Sequence, residues 1–262
     1  MSNVSGVNAA AGTPRNASGA LDEEAFRRSL DFVVARGVRG VAINGATGEY
    51  CLTTAEELRR MLAIAREAAG AHVDVICGIG AAGLAGVLER GRIAMETGVK
   101  ALLLPAPHFF PYGQDDIRSF AARVAAELPA PILLYNLPRF TTGYSRVTVS
   151  KLMAACPNIL GIKDSSGSLE VLRQMTAAGH TSGRIVGNDA VLAQALRERV
   201  CDGVISGVAG VVPELIRLLF DPDNGNFEAG RRALDEFIAQ IDPFPTPWGL
   251  KWIGEVRGIA PA

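Results

Sequence analysis

Short apolar runs alternate along the chain with longer amphipathic stretches, and this alternation predicts eight parallel strands, each followed by a helix. The apolar runs have the length of buried strands, and the stretches between them carry apolar residues at helical spacing. The strands are predicted at residues 6–11, 40–44, 73–77, 99–104, 132–136, 160–164, 184–187 and 203–206. The helices are predicted near residues 22–36, 54–69, 82–97, 115–128, 146–155, 168–178, 190–199 and 212–220.

The second of these helices shows both of its ends in the sequence. Thr54 and Glu57 have the spacing of a capping box, in which each side chain bonds to the backbone of the other residue. Gly70 ends the pattern, as glycine often does at a helix C-terminus. The apolar face at i, i+3, i+4 and i+7 consists of Leu58, Met61, Leu62 and Ala65.

Eight strand–helix units with short connections fit either an open doubly wound sheet or a closed barrel. An open dinucleotide-binding sheet would carry a GxGxxG after its first strand, and this chain has none there. We therefore predict an α/β fold, a (β/α)8 TIM barrel, over residues 1–222. Residues 223–262 are predicted to form a short C-terminal helical appendage, in which the proline-rich turn "DPFPTP" separates two helices.

The composition is that of a soluble globular protein, with 48% hydrophobic and 20% charged residues in 262. A formal net charge of −1 gives no field for nucleic acid or an anionic membrane. Four cysteines stand singly, which predicts a reducing compartment and neither a disulfide framework nor a metal site. Because we find no signal peptide and no apolar run of transmembrane length, we expect a cytoplasmic location.

Candidate chemistry lies where the predicted strands end, since active sites of such barrels form at the C-terminal ends of the strands. Lys163, one of only four lysines, interrupts the apolar run "ILGIKDSSGS" on strand 6, and Tyr135 lies near the end of strand 5. A buried lysine favours its neutral amine, which can attack a ketone and form a Schiff base. A nearby tyrosine can transfer the protons, and Thr47 with the amides around Gly48 could bind a carboxylate.

Each of these residues also has a structural interpretation. Lys163 could extend its amine outward and pair with Glu49 or Asp164. Tyr135 could be a core aromatic residue whose hydroxyl is satisfied locally. The two alternatives predict a stabilising ion pair and a packed ring rather than an active site.

Several motifs resemble those of one enzyme family. "GATGEY" is similar to its G-[TS]-T-G-E motif, "YNLP" to its Y-N-x-P motif, and "GIKDSSG" to its G-I-K-[ED]-[AS]-[TS]-G motif. "GVISGVAGVVPE" and "PTPWGLKWI" resemble its eighth-strand and late-helix segments. The chain thus resembles, nearly end to end, the dihydrodipicolinate synthase / N-acetylneuraminate lyase family of class I aldolases, which are (β/α)8 barrels.

The resemblance implies roles for individual residues. Lys163 would be the Schiff-base lysine and Tyr135 the proton-relay tyrosine, while Glu49 would hold its loop by hydrogen bonds. The resemblance implies no metal and no organic cofactor. The positions that it implies for substrate binding are Thr47, Gly48, Gly187 and Ile205.

Three positions depart from the family pattern. Ala46 stands where the family has a hydroxyl residue of the relay, and Phe109 falls where true dihydrodipicolinate synthases donate a tyrosine to a neighbouring subunit. Those enzymes also bind the second substrate's carboxylate with an arginine two residues after the proline of Y-N-x-P. Ungapped counting puts Phe140 at that substrate-binding place, with Arg139 one position early. The departures argue against lysine biosynthesis and for a less polar second substrate.

The sequence therefore predicts a lyase that forms a lysine Schiff base with pyruvate or another 2-oxo acid and makes or cleaves an adjacent C–C or C–O bond. Its partners would be small molecules, a 2-oxo acid and an aldehyde, with no nucleic acid and no membrane. Two alternatives stay open: dihydrodipicolinate synthase proper, and a relay-deficient barrel that binds or senses 2-oxo acids. From the resemblance, a homo-oligomer, dimer or tetramer, is expected.

Overall fold

The eight predicted strands close into one parallel barrel. The structure is a computed structural model that describes residues 4–221 and 225–261. The first strand pairs in parallel with both the second and the eighth, so the sheet has no free edge. The predicted TIM barrel is confirmed, and the open doubly wound alternative is wrong.

Each strand leads into a helix on the outside of the barrel. The strands are Gly6–Ala10 (β1), Gly40–Ile43 (β2), Asp74–Gly78 (β3), Ala101–Pro105 (β4), Ile132–Asn136 (β5), Ile159–Asp164 (β6), Arg184–Val186 (β7) and Gly203–Ser206 (β8). The helices are Glu23–Ala35 (α1), Ala55–Ala69 (α2), Leu84–Glu96 (α3), Gln114–Glu127 (α4), Arg146–Ala155 (α5), Glu170–Ala177 (α6), Leu192–Glu198 (α7), Pro213–Phe220 (α8), Phe227–Ile241 (α9) and Trp248–Val256 (α10).

The predicted boundaries differ from these mainly where a turn takes up part of the apolar run. β4 begins at Ala101 rather than at residue 99, because the turn after α3 includes Gly98 in a left-handed conformation at φ +66°. α7 begins late because Asp189–Val191 form a 3-10 turn, which the Asn188 side chain caps by accepting from the Ala190 amide.

The α2 helix begins and packs as the sequence predicts. The Thr54 hydroxyl accepts from the Glu57 amide, and the Glu57 carboxylate accepts from the Thr54 amide, so both halves of the capping box are present. Leu58, Met61, Leu62 and Ala65 are all buried.

Apolar side chains pack on both sides of the sheet. The larger core lies between the strands and the surrounding helices, and Phe26, Leu58 and Leu104 are among its fully buried members. A second cluster fills the interior of the barrel, where Ile76, Leu103 and Leu133 lie below Tyr135. The interior is thus a packed core, and the open space is at the C-terminal ends of the strands.

The last two helices are separated by a turn, as predicted, and α10 lies against the mouth of the barrel. A Cβ on Gly207, just after β8, would lie 2.8 Å from Leu250 Cδ1 of α10. The peptide bond between Thr246 and Pro247 in the turn is cis. The predicted boundary at 222/223 lies outside the described residues. No helix within the described ranges is long and apolar enough to cross a membrane.

Candidate active site

Lys163 and Tyr135 meet because β5 and β6 are neighbours in register. Tyr135 pairs with Lys163 across the two strands, so both side chains point into the barrel mouth. Lys163 Nζ donates a hydrogen bond of 2.9 Å to Tyr135 Oη. Each residue is only 3% exposed. The structure therefore brings the two residues predicted as catalytic into direct contact at the bottom of the mouth.

The two carboxylates that could have paired with Lys163 have other partners. Glu49 accepts from Lys251 Nζ at 2.5 Å. Asp164 accepts from Asn136 Nδ2 at 3.1 Å and from the Ser166 amide at 2.9 Å. In the part of the chain that the structure describes, no carboxylate lies within ion-pair distance of Lys163 Nζ. The ion-pair interpretation of the buried lysine thus has no contact to support it.

The backbone after β7 packs directly against the Lys163 side chain. A Cβ on Gly187 would lie 2.1 Å from Ser165 Oγ and 2.9 Å from Lys163 Cε, so a glycine is required here. The Gly187 amide donates to the Asp164 carbonyl at 2.8 Å, which fixes the approach. The predicted substrate-binding residue Gly187 therefore also confines the lysine chain.

The loop that follows β2 is held in an uncommon backbone shape. Asn44 and Glu49, on either side of the Ala-Thr-Gly segment, both have positive φ, at +59° and +54°. Such a conformation is uncommon for residues other than glycine and needs support from its surroundings. Asn44 Nδ2 donates to the Gly78 carbonyl at 2.8 Å, and Thr13 Oγ1 donates to the Gly48 carbonyl at 2.7 Å.

A cavity of about 240 Å³ opens above the lysine. Of the residues predicted from the sequence, Gly48 is buried behind Thr47 and does not line this cavity. The predicted residues that line it are Lys163, Tyr135, Thr47, Gly187, Ile205 and Phe140.

Two groups of lining residues were not predicted. Asp189 follows β7, and Ser165 follows β6, at strand ends where the sequence could have pointed to them. The apolar side chains from α9, α10 and the turn between them had no such signal. These are Ile238, Ile241, Phe244, Pro245, Pro247 and Leu250.

Asp189 carries a buried carboxyl oxygen towards this cavity. Its Oδ2 accepts from the Val208 amide at 3.2 Å, while Oδ1 is buried without a hydrogen-bond partner among the described residues. Burial raises the pKa of this carboxyl, although hydrogen bonds from Ser206 and Val208 and the charge of Lys163 oppose the shift. The cavity wall thus includes an acidic group beside its apolar side chains.

Arg139 and Phe140, the two residues nearest the family's arginine position, both line the cavity. Phe140 is 48% exposed, and Arg139 also lines the opening, with its guanidinium carbon 5.9 Å from the centre of the Phe140 ring. Ungapped counting put Phe140 at the family's arginine position and Arg139 one position early, and in the structure both residues line the cavity. Phe109 is 85% exposed on the β4–α4 connection.

The described residues were also compared with the ligand groups that hold metal ions. Within residues 4–221 and 225–261, no group of three or more His, Cys, Asp or Glu side chains is arranged to hold a metal ion.

Comparison with known proteins decides the family. The model of the Dihydrodipicolinate synthetase family matches residues 3–260. The chain belongs to this family. A 4-hydroxy-tetrahydrodipicolinate synthase from Xylella fastidiosa is 32% identical over 251 residues, which cover 94% of this chain and 81% of that protein.

Solved structures show the same fold. The sialic acid aldolase of Ruminococcus gnavus superposes with a TM-score of 0.86 at 22% identity, covering 96% of this chain and 86% of that one. A family member from E. coli K12, solved in complex with pyruvate, gives a TM-score of 0.84 at 24% identity, covering 96% and 86%. The chain is thus a TIM-barrel enzyme of a family of lyases and aldolases.

Proposed function

We propose that the protein is a class I aldolase or lyase in which Lys163 forms a Schiff base with pyruvate or another 2-oxo acid. The observation that carries the proposal is the 2.9 Å hydrogen bond between Lys163 Nζ and Tyr135 Oη beneath an open cavity. Lys163 is buried, and among the described residues none of its hydrogen bonds goes to a carboxylate, so its nitrogen faces the cavity as a possible nucleophile.

The chemistry proceeds from this contact. The Lys163 amine attacks the keto carbon, and loss of water leaves an imine to the lysine nitrogen. The protonated imine draws electrons from the neighbouring carbon, which loses a proton and becomes the enamine carbon. That carbon attacks an aldehyde, whose oxygen takes up a proton, and water then releases the product from the lysine. Tyr135 Oη carries these protons, and cleavage is the same sequence reversed.

The carboxylate of the 2-oxo acid would bind at the loop after β2. Thr47 lines the cavity, and a Cβ on Gly207 would lie 3.5 Å from its hydroxyl oxygen. The Thr13 hydroxyl fixes the backbone at the buried Gly48, which would preorganise the loop that presents Thr47. The family member solved with pyruvate supports a 2-oxo acid as the first substrate.

For the second substrate, we propose an aldehyde less polar than a sugar acid. The outer wall of the cavity contains Ile238, Ile241 and Phe244, next to Phe140 at the rim. Burying apolar substrate surface there contributes about 25 cal/mol per Å². Turnover of an aliphatic or aromatic aldehyde with pyruvate, and none of a sugar acid, would support this. A complex with a polar sugar acid seated across Phe140 would contradict it.

Arg139 favours one second candidate, dihydrodipicolinate synthase proper. Arg139 lines the cavity, so it would offer a cation to the second substrate's carboxylate, and the Xylella fastidiosa relative carries that name. This candidate predicts condensation of pyruvate with aspartate semialdehyde. If pyruvate still forms its adduct but this pair of substrates is not turned over, the second candidate is excluded and the first remains.

Borohydride trapping tests the proposal directly. Wild type is incubated with a panel of 2-oxo acids, reduced, digested and mapped by mass spectrometry. The expected result is a mass increase on the Lys163 peptide that is lost in Lys163→Ala. No adduct with any 2-oxo acid would refute the mechanism. An adduct that forms without any turnover would point instead to the 2-oxo acid sensor.

A homo-oligomer and a cytoplasmic location complete the proposal. The first is supported by the resemblance to family members that assemble, and the second by four cysteines that stand unpaired in the structure. Sedimentation at several protein concentrations and cell fractionation would test the two.

A further inference from the structure

We infer that Lys251, on α10, is a positioning residue that sets the 2-oxo-acid carboxylate loop through its ion pair with Glu49. This inference rests on the proposed function, because it assigns a task to a loop that binds the substrate's carboxylate. It also gives the C-terminal helices a part in substrate binding.

The ion pair is well shielded from water. Lys251 Nζ lies 2.5 Å from Glu49 Oε2, and the two side chains are only 16% and 21% exposed. Charges that are partly buried interact more strongly than exposed ones and are screened less by salt. The two residues are 202 positions apart, so the contact joins the end of the chain to the loop after β2.

The Glu49 backbone needs such support. Its φ is +54°, and its amide donates to the Ala46 carbonyl at 3.0 Å, which closes a tight turn around Thr47 and Gly48. On one side the turn is held by the Thr13 hydroxyl on the Gly48 carbonyl. On the other side the polar contact is Lys251. Loss of the pair would remove the contact that holds the Glu49 end of the turn.

The same turn of α10 also lies over the binding loop. A Cβ on Gly207 would be 2.8 Å from Leu250 Cδ1 and 3.5 Å from Thr47 Oγ1, so Leu250 and Thr47 both border Gly207 in the cavity wall. Lys251, the next residue along the helix, joins this part of the wall to the loop through Glu49.

A second ion pair, at the C-terminal end of α10, provides a matched control. Arg257 Nη2 lies 2.5 Å from Glu214 Oε1 of α8, and Nη1 donates to the Val211 carbonyl at 2.6 Å. This pair also fastens α10 to the barrel but touches no residue of the carboxylate loop. Lys251→Met and Arg257→Met therefore remove the same kind of contact from the same helix, with only one of them at the loop.

The experiment measures borohydride trapping on the Lys163 peptide against the concentration of pyruvate and, separately, of acetone, a ketone without a carboxylate. For Lys251→Met we expect the half-saturating pyruvate concentration to rise about tenfold, the scale of one lost hydrogen bond to a carboxylate. The limiting trapping rate and the acetone curve should stay unchanged. Arg257→Met should leave all three unchanged, and Lys251→Arg should restore most of the pyruvate affinity.

Failure of the proposed function and failure of the Lys251 inference give different results. No adduct in wild type would defeat the proposed function itself. An adduct whose pyruvate dependence is the same in Lys251→Met as in wild type would overturn the inference, and so would an equal loss for acetone or in Arg257→Met. Glu49→Gln should reproduce the shift, and combining it with Lys251→Met should add little. If circular dichroism shows Lys251→Met unfolded, Glu49→Gln carries the test.

Discussion

The hydroxyl of Tyr135 accepts a hydrogen bond from the Lys163 amine, and in the proposed mechanism it also carries protons. Tyr135→Phe removes both while keeping the ring. We expect turnover of the trapped 2-oxo acid with its aldehyde to fall by about 10²- to 10⁴-fold, the usual range for loss of general acid–base catalysis. Steady-state kinetics with the wild type as reference would measure this.

Tyr144→Phe is the control, because it removes a buried tyrosine hydroxyl that has no part in the proposed mechanism. Tyr144 is 3% exposed, and its hydroxyl has no hydrogen-bond partner among the described residues. Removing an unpaired buried hydroxyl costs nothing in lost bonds. Tyr144→Phe should therefore leave turnover unchanged and the free energy of unfolding unchanged or higher. Equal losses in the two variants would mean that turnover depends on packing of the rings and not on the Tyr135 hydroxyl.

Gly187 tests how closely the lysine chain is confined. A methyl group there would overlap Ser165 Oγ and press on Lys163 Cε. Gly187→Ala should lower the rate of borohydride trapping by about 100-fold, since a displacement of about 1 Å at a reacting group can have that effect. A Cβ at Gly83 would meet nothing within 4 Å, so Gly83→Ala is the control. Normal trapping in Gly187→Ala would show that the backbone gives way.

Single residues were predictable where their signal lies in the local sequence. Lys163 and Tyr135 end two neighbouring apolar runs, and the barrel rule places such ends in one mouth. The Lys251–Glu49 pair was not predictable, because each residue looks like an ordinary surface charge and only the fold brings the two together. The position of Arg139 at the cavity was not predictable, because counting along a loop does not show which way its backbone turns.

At the scale of elements, α2 shows how local signals set a helix. Its capping box satisfies two amides at a helix start, where four backbone N–H groups have no intrahelical partner. Thr54→Ala should lower the free energy of unfolding by about 1 kcal/mol, as is typical for loss of an N-cap. Urea unfolding followed by circular dichroism would measure it. Thr181→Ala, at an exposed loop position, should be neutral, and an equal loss there would argue against capping as the cause.

Helices α9 and α10 were predicted as elements but not as part of the site. Their amphipathic pattern shows that each buries one face, and the proline-rich turn shows where they separate. The pattern does not show what that face packs against. The approach of Leu250 to Gly207 depends on the path of the whole chain after β8. The sequence therefore predicts that these helices form, but it does not predict where they pack on the barrel.

At the scale of the whole molecule, the fold shifts the pKa values of different carboxyl groups in opposite directions. Burial raises the pKa of Asp164, against hydrogen bonds from Ser166 and Asn136. Hydrogen bonds from Arg173 and Gln194 instead lower the pKa of Glu198 to about 2. The stability of the fold as a function of pH is the sum of such contributions, and those of Asp164 and Glu198 have opposite signs.

The contribution of Asp164 can be isolated with Asp164→Asn. In the unfolded chain an aspartate titrates near pH ~3.9, and in the fold Asp164 keeps its proton to a higher pH. Between these two values the folded state binds more protons, so this contribution to the free energy of unfolding falls as pH rises through that window. Asparagine does not titrate there, so the variant should gain stability relative to wild type as pH rises from about 3.5 to 7.

Urea unfolding of both proteins at a series of pH values would measure this gain, about 1.4 kcal/mol for each unit by which the pKa is raised. Asp115→Asn is the control, since the Asp115 side chain is 90% exposed, and its difference from wild type should change little with pH. A difference for Asp164→Asn that is flat, or that favours wild type increasingly as pH rises, would show that the Asn136 and Ser166 hydrogen bonds outweigh burial. The carboxylate would then be a stabilising part of the β5–β6 junction.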